Sequence, residues 1–492
     1  MRFLRLTNAV LALSLLAGLG LVLNLTSTSA FAQTEYGSLQ GVVIDNAGAA
    51  VPNAKVTVLN VSNGFTRQVV SNGVGEYRFS ELPPGPYSLK VQAAGFGTLQ
   101  TAIEVSVGGH ETLDAKLKVG TDQATTVEVS SLEVGVDVNT TNAEVSEVIS
   151  PMQITELPSL TRDPYNFVEL SGSVSTDPNG TTAQGVGVSF SGTRSASTEV
   201  LLDGVENVSL FGQNVATTIP LDSVSEYRVI TNGFSAEYGR ASGGIVNLVT
   251  KGGTNKYHGS LYEFNRISAL ASNTFYEDSA DAQGSPQAPD HFTQNQFGYS
   301  VGGPVLPMFK DKLFFFSNTE WNRVRSSGTQ TFAVPTASFL ATTASNTQAY
   351  FNQYGKIAPG VTLGTPFDVT DSKGNTITGG FQTAAVTAPI NAGAGNPIDA
   401  WFTNDRIDYN PSDKTSMFFR YDSYKDDVFP GTNSLSPYAG FNTGTTDYDQ
   451  AALANVNHQF SPNLILTAKV TYTRTNGGQP LGSAGVVPGL YL

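Results

Sequence analysis

The chain contains no cysteine, only four histidines and two tryptophans, and charged residues make up just 14% of it. Without cysteine there is no disulfide framework, no lipid-bearing cysteine and no thiolate metal site, so an exported protein of this sequence must hold together by packing alone. The histidines are His110, His258, His291 and His458. None has the H-E-x-x-H spacing that puts two metal ligands on one helical face, and His110 beside Glu111 reads as a solvated strand end. Basic residues are also few: 27 lysines and arginines stand against 41 acidic residues, a net charge of -14. That balance lacks the clustered basic surface that nucleic-acid phosphates require, so no nucleic-acid partner is expected. Beyond the N-terminus no apolar run is long enough for a transmembrane helix. A place in a membrane would then require a closed β-barrel, the other structure that satisfies backbone groups in lipid.

What is abundant favours strands and turns. The 492 residues include 50 glycines and 10% aromatics, which suits β-structure better than long solvated helices, and the length calls for three or more domains. Residues 1–32 have the layout of a signal peptide. Arg2 and Arg5 precede an apolar run from Ala9 to Leu25, and Ala30-Phe31-Ala32 offers small residues for cleavage after Ala32. A retained transmembrane anchor is the competing reading.

Residues 33–119 read as a β-sandwich of short alternating strands. These are Leu39 to Ile44, Ala54 to Leu59, Gly75 to Phe79, Tyr87 to Val91 and Ile103 to Val107, separated by turns such as Asp45-Asn46-Ala47-Gly48 and Pro83-Pro84-Gly85. The motifs Gly41-Val42-Val43-Ile44-Asp45, Val51-Pro52-Asn53-Ala54, Gly75-Glu76-Tyr77-Arg78-Phe79, Leu82-Pro83-Pro84-Gly85 and Ala94-Gly95-Phe96 resemble the carboxypeptidase regulatory-like domain. That resemblance implies a prealbumin-like, carbohydrate-binding-like sandwich and no peptidase.

Residues 120–150 have linker composition. Within them Thr125, Thr126, Val127, Glu128 and Val129 form a short extendable stretch that resembles the TonB box. The resemblance implies a TonB-type energy-transducing partner in the periplasm, which would take the segment by strand addition. A plain linker strand is the alternative.

From residue 151 the pattern becomes α+β. Ile154 to Pro158 and Tyr165 to Leu170 have apolar residues at helical spacing, with Asp163-Pro164 as a start signal. Val224 to Ile230 and Ile245 to Thr250 alternate as half-buried strands with their own small core, and the glycines between them suit a tight turn with positive φ. Ser189 and Ser191 lie among glycines but do not satisfy G-x-S-x-G. Asp203 and Glu206 could pair as acid and base, yet Asp203-Gly204 is first a hairpin turn. No nucleophile, base or metal cluster is legible, so neither an enzyme nor a cofactor is expected.

The ordered features Leu202 to Val205, Val224, Glu226, Val229, Tyr238-Gly239, Gly243-Gly244, Asn247 and Thr250-Lys251 resemble the plug domain of TonB-dependent receptors. The preceding sandwich, and the run from Thr250 through Tyr257 to Phe264, resemble the Oar-like subgroup. Ser171-Gly172 and Gly252 depart from that subgroup's pattern. The plug is expected over residues 151–253, and the resemblance implies that Arg194, Asp203, Glu226 and Arg240 are plug charges paired with a barrel lumen.

Residues 254–492 carry about seven alternating segments of the kind that line a transmembrane barrel. They are Gly259 to Arg266, Asn295 to Val301, Leu313 to Arg323, Ala400 to Tyr409, Met417 to Tyr424, Ala451 to Phe460 and Leu464 to Thr473. Leu464, Leu466, Ala468, Val470 and Tyr472 form a lipid-side face, with Phe419 and Tyr421 on the matching side of their segment. Tyr409, Phe429, Tyr448 and Tyr472 suit interfacial girdles, and the polar stretch near 326–396 suits an extracellular loop. Plugged barrels have roughly 22 strands. The expectation is therefore a mainly β chain with a sandwich, a plug and the first strands of an incomplete antiparallel barrel, belonging to a longer receptor and unable to work alone as a transporter.

The resemblance implies active uptake of a small-molecule, glycan or peptide ligand across the bacterial outer membrane, with the barrel in lipid and the sandwich in the periplasm. The reading from another class is a carbohydrate-binding or adhesive surface protein, in which Tyr77, Phe79, Tyr87 and Phe96 would stack on sugars.

Overall fold

A computed structural model of the chain describes residues 36–120, 125–126, 144–159, 161–176, 187–210, 212–235, 238–239, 241–272, 290–309, 311–370, 372–461 and 464–479. The expected signal peptide, Arg240, and Val127, Glu128 and Val129 of the expected TonB box lie outside the described residues.

The sandwich is built from β1 (Gly37–Ile44), β2 (Lys55–Asn60), β3 (Thr66–Val70), β4 (Glu76–Leu82), β5 (Gly85–Gln92), β6 (Leu99–Val105), β7 (His110–Thr112) and β8 (Ala115–Lys116). A short β9 (Thr125–Thr126) completes one of its sheets. The first sheet runs β4-β1-β7 with β8 also on β1, and the second runs β3-β2-β5-β6-β9. Strict alternation aims Leu39, Val43, Val56, Val58, Leu89 and Val91 into a shared core, all without exposure, as two facing sheets require. The five strands read from sequence are present, and β3 adds one that its polar pattern, Thr66-Arg67-Gln68, concealed.

The plug sheet has the order β10-β15-β16-β13-β14, from β10 (Val145–Ile149), β13 (Glu199–Leu202), β14 (Val205–Glu206), β15 (Val224–Asn232) and β16 (Ile245–Thr250). A separate pair joins β11 (Val174–Thr176) to β12 (Val188–Phe190). Helix α1 (Pro151–Glu156) starts on a capping box between Ser150 and Gln153. A 3-10 helix (Pro164–Leu170) starts where Asp163 accepts from the Tyr165 N–H at 2.9 Å.

Three features differ from the sequence expectation. First, β10 lies within the stretch read as linker, because it closes an edge of β15 from Ile149 opposite Tyr227 to Val145 opposite Asn232. Second, β15 and β16 are buried on both faces rather than half-buried. One face packs on the plug core through Tyr227, Val229, Val246 and Leu248, and the other is covered at Glu226 and Arg228 by the sandwich and at Ile230 and Ile245 by the plug's own Leu201, Phe234, Tyr238 and Ala241. Third, of the glycines between the two strands Gly233 has the expected positive φ, 69°, whereas Gly243 and Gly244 do not. Gly244 is needed for close approach, since a Cβ there would lie 2.3 Å from the Phe190 ring.

The wall comprises β17 (His258–Ile267), β18 (His291–Pro304), β19 (Leu313–Pro335), β20 (Thr362–Thr370), β21 (Thr376–Ala388), β22 (Ile398–Ser412), β23 (Thr415–Val428), β24 (Thr446–Ser461), β25 (Leu464–Arg474) and β26 (Gly477–Gly478). Its main path is β17-β18-β19-β22-β23-β24-β25, and among the described residues the two end strands do not pair with each other. All seven expected segments are strands of this path. The stretch near 326–396 is not an irregular loop: β19 continues to Pro335, β20 and β21 extend the sheet beside it, and α2 (Ala337–Leu340) and α3 (Ser345–Tyr354) lie between.

The wall has two chemically distinct faces. Phe419, Leu464, Leu466, Val470 and Tyr472 are exposed on the outside. Register brings Phe297, Trp321, Trp401, Lys425 and Tyr448 into one row, an aromatic belt with a long cationic side chain. Residues of the opposite parity, including Asn318, Glu320, Asn404, Arg420, Asp422 and Asn455, are buried on the side that encloses the plug.

Candidate functional site

The hairpin β13–β14 turns on Asp203 and Gly204, with φ values of 52° and 66°. These are left-handed angles that a two-residue Asp-Gly loop adopts at low cost. The turn carries Asp203 to the wall with no exposed surface. Its carboxylate accepts from the Thr250 N–H and the Thr250 hydroxyl, each at 2.8 Å. Arg420 of β23 donates to Asp203 Oδ2 at 2.5 Å, and Arg406 of β22 lies 3.6 Å from Oδ1.

The cluster extends along the wall. Arg420 also pairs with Asp422 at 2.6 Å, Arg406 with Asp408 at 2.8 Å, and Lys469 of β25 donates to the Asp203 carbonyl at 3.2 Å. Three carboxylates therefore meet three cations around one turn. Burial works to raise the Asp203 pKa, but Arg420, Arg406 and the Thr250 N–H hold it below the ordinary carboxylate value. Glu206, its imagined acid-base partner, is exposed at the strand end.

A second seam forms at Arg162, the residue before the Asp163 cap. Its guanidinium pairs with Asp222 at 2.5 Å and with Glu320 of β19 at 3.3 Å. It also lies 4.1 Å from the centre of the Phe264 ring and 4.9 Å from that of Tyr262 on β17. Gln296 of β18 donates to the Thr161 carbonyl at 3.0 Å.

Glu226 does not face the wall as expected. Its Oε1 accepts from the Val107 N–H of the sandwich at 2.6 Å, and Arg228 donates to the Val107 carbonyl at 3.2 Å. Arg228 is held in turn by Glu144 at 2.7 Å and by Ser146. The reason is topological: Glu226 and Arg228 share the face of β15 that the sandwich covers. Burial pushes the Glu226 pKa up to about 7, with the Val107 N–H opposing and Glu104 and Glu111 adding to the rise. Arg194 also departs from expectation. It caps a short 3-10 turn, is exposed, and has no ion pair with a described residue.

The sandwich also touches the wall directly. Asn455 of β24 donates to the Tyr36 hydroxyl at 2.7 Å, and the Asn255 N–H to the Ser62 carbonyl at 3.0 Å. Tyr77, Phe79 and Tyr87 are core residues, 3%, 1% and 1% exposed, so they offer no platform for a sugar ring. Thr125 and Thr126 of the expected TonB box form β9 on the edge of the sandwich.

Sequence reading singled out Asp203 and set Lys469 on the lumen side of its strand, but missed Arg162 and Arg406. The local signal is parity: on β22 and β25, Arg406 and Lys469 stand on the polar side of an alternating strand.

Comparison with known proteins agrees with this architecture. A carboxypeptidase regulatory-like domain matches residues 38–118, a TonB-dependent receptor plug domain matches 138–245, and an outer-membrane β-barrel domain matches 249–489. The TonB-dependent transporter Oar of Myxococcus xanthus is 30% identical over 346 residues, which cover 67% of this chain and 30% of that protein. The outer-membrane transporter YddB of Escherichia coli superposes with a TM-score of 0.41 at 11% identity, over 67% of this chain and 38% of that one. A ferric enterobactin receptor mutant from Pseudomonas aeruginosa gives 0.40 at 13% identity, over 68% and 40%. This chain thus spans under half the length of each of these proteins. On its three matched domains, in this order, the chain belongs to the TonB-dependent outer-membrane receptors, in the Oar-like group with a regulatory-like sandwich ahead of the plug.

Proposed function

We propose that these domains serve energised uptake of a ligand across the outer membrane, driven by a TonB-type protein in the periplasm. The observation that carries this reading is the polar seam around Asp203, where a plug hairpin sits on the wall through buried ion pairs rather than an apolar core. Charged groups in such a seam need partners. A plug that moves under load can exchange those partners for water or other charges, whereas an interlocked apolar core would resist sliding.

In this reading the outer faces of β17 to β25 contact outer-membrane lipid, and the sandwich and residues 120–150 lie in the periplasm. Thr125, Thr126, Val127, Glu128 and Val129 are where the TonB-type partner adds a strand. Of the four plug charges, Asp203 has the lumen role, and the ligand is a small molecule, glycan or peptide that approaches from the side of β20 and β21.

The test is uptake of labelled candidate ligands by cells carrying the receptor, with and without the TonB-type gene, and with residues 125–130 deleted. Uptake is expected to fall to background in both altered strains. Full-rate uptake without the TonB-type protein would exclude the mechanism, and full-rate uptake after the deletion would remove the assignment of the segment.

A further inference from the structure

Beside the Asp203 cluster, where sandwich, plug and wall meet, lies a cavity of about 290 Å³. That is the lower end of the range for small-molecule pockets, about 300–1,000 Å³. The sandwich lines it with Pro83, Pro84 and Pro86, the plug with Lys251, and the wall with Arg406, Asp408, Ser416 and Phe418.

Lys251 is set at this cavity by the chain around it. Its N–H donates to the Ser223 carbonyl at 2.8 Å just past the end of β16, and the two glycines that follow lie directly on the wall. A Cβ at Gly252 would come within 2.9 Å of an Asp408 oxygen, and one at Gly253 within 2.5 Å of the Phe315 carbonyl oxygen. The Lys251 amine makes no hydrogen bond or ion pair with a described residue. Burial lowers its pKa, and the carboxylate that opposes this, Asp222, is itself paired with Arg162 at 2.5 Å.

The other cation of the cavity is already engaged. Arg406 directs Nε and Nη2 to Asp408 at 3.0 and 2.8 Å, and Nη1 to the Thr250 hydroxyl at 3.0 Å. Asp408 thus has its own counter-charge, which leaves Lys251 as the cation in need of one. Ser416, on the inward face of β23, is 7% exposed, and its hydroxyl has no hydrogen-bond partner among the described residues. A buried hydroxyl in that state costs free energy until something pairs with it. The sandwich side of the cavity is different in kind, since Pro83, Pro84 and Pro86 have no N–H to donate and present ring carbons.

We propose that this cavity binds a small organic oxyanion, its charged end on Lys251 and Ser416 and its carbon part against Pro83, Pro84 and Pro86. An ammonium and a hydroxyl converging on one anionic group make charge-assisted hydrogen bonds, the strong kind. Because one ligand then touches sandwich, plug and wall together, its binding stabilises their assembled arrangement by mass action.

The test uses the whole chain in detergent with two probes, inorganic phosphate and phenyl phosphate. Lysines are acetylated with N-acetoxysuccinimide, and modification of Lys251 is read by peptide mass against Lys90, which is exposed on the sandwich and outside the cavity. Both probes are expected to lower acetylation of Lys251 at least five-fold with Lys90 unchanged, phenyl phosphate at the lower concentration. Ser416→Ala should raise the half-protecting concentration about ten-fold, the loss of one hydrogen bond to a charged group. In equilibrium dialysis, labelled phosphate should bind at about one equivalent and at least ten-fold more weakly to Lys251→Met, as loss of the charged partner requires.

No saturable binding, or equal binding by parent and Lys251→Met, overturns the site. Protection that Ser416→Ala leaves unchanged overturns it as well, because the anion would then lie outside the cavity. Equal half-protecting concentrations for the two probes overturn the contact with the prolines.

Discussion

Asp203 and Arg420, 217 residues apart in sequence, meet at 2.5 Å with side chains 0% and 2% exposed. One belongs to a plug hairpin and the other to the wall, so this pair joins two units that fold from different stretches of chain. Removing one member of a buried pair leaves the other charge without compensation.

Asp203→Asn keeps the shape of the side chain and its acceptor for the Thr250 N–H, but removes the charge facing Arg420 and Arg406. A loss of roughly 3 kcal/mol is expected, at the low end for breaking a buried pair because Asp408 and Asp422 remain. Urea unfolding in detergent measures it, and a double-mutant cycle with Arg420→Met isolates the coupling. A variant within 0.5 kcal/mol of the parent would show that the pair contributes nothing to seating the plug.

Arg162→Lys preserves charge and removes geometry. The guanidinium bridges Asp222 and Glu320 while lying over Phe264, and an ammonium cannot do both. A loss of about 1–2 kcal/mol is expected, seen as faster protease cleavage near residues 159–163 with the far side of the plug unchanged. Parental resistance would reduce Arg162 to a point charge.

Most of the wall was legible because its rule is local. Every second residue faces one way, so Val470 and Phe419 could be placed outside and Arg420 and Asp422 inside without knowing their neighbours. Asp203-Gly204 was legible as a turn for the same reason, since the left-handed angles are a property of the dipeptide. Glu226 was expected at the lumen from its place in the plug motif, which does not show what covers that face of β15. The sandwich that supplies Val107 lies 119 residues earlier. Arg194, read as a lumen charge by its place in the plug motif, caps an exposed turn. β20 and β21 were hidden by Gly, Thr and Ala content that reads as loop until β19 supplies a partner strand.

Gly244→Ala tests whether the plug's glycines serve turns or contact. The backbone at Gly244 is not in the left-handed region, so alanine is acceptable to the main chain. The added methyl would meet three Phe190 ring atoms between 2.3 and 2.6 Å. Phe190 is fully buried, and the cost is expected in the overpacking range, about 1–3 kcal/mol. A Gly244→Ala, Phe190→Leu double variant should recover part of it. Parental stability of the single variant would show that the β12 region yields without cost.

Glu226 makes the junction of sandwich and plug sensitive to pH. A fully solvated glutamate titrates near 4.5, whereas in the docked junction burial pushes Glu226 up to about 7, outweighing the Val107 N–H and Arg228, with Glu104 and Glu111 as like charges nearby. The docked form therefore takes up a proton across that window. Docking is strongest below about 4.5, weakens as pH rises to about 7, and is level above. Burial also raises Glu104, which adds to the slope in the same direction. Glu226→Gln keeps an acceptor for the Val107 N–H and cannot ionise, so most of the slope should disappear and docking at about pH 8 should tighten. Amide exchange of the peptide containing Val107 and Gly108 in the whole chain, corrected for the intrinsic rate, reads this directly. Equal slopes for parent and variant would remove Glu226 as the titrating group and leave Glu104 to account for any dependence that remains.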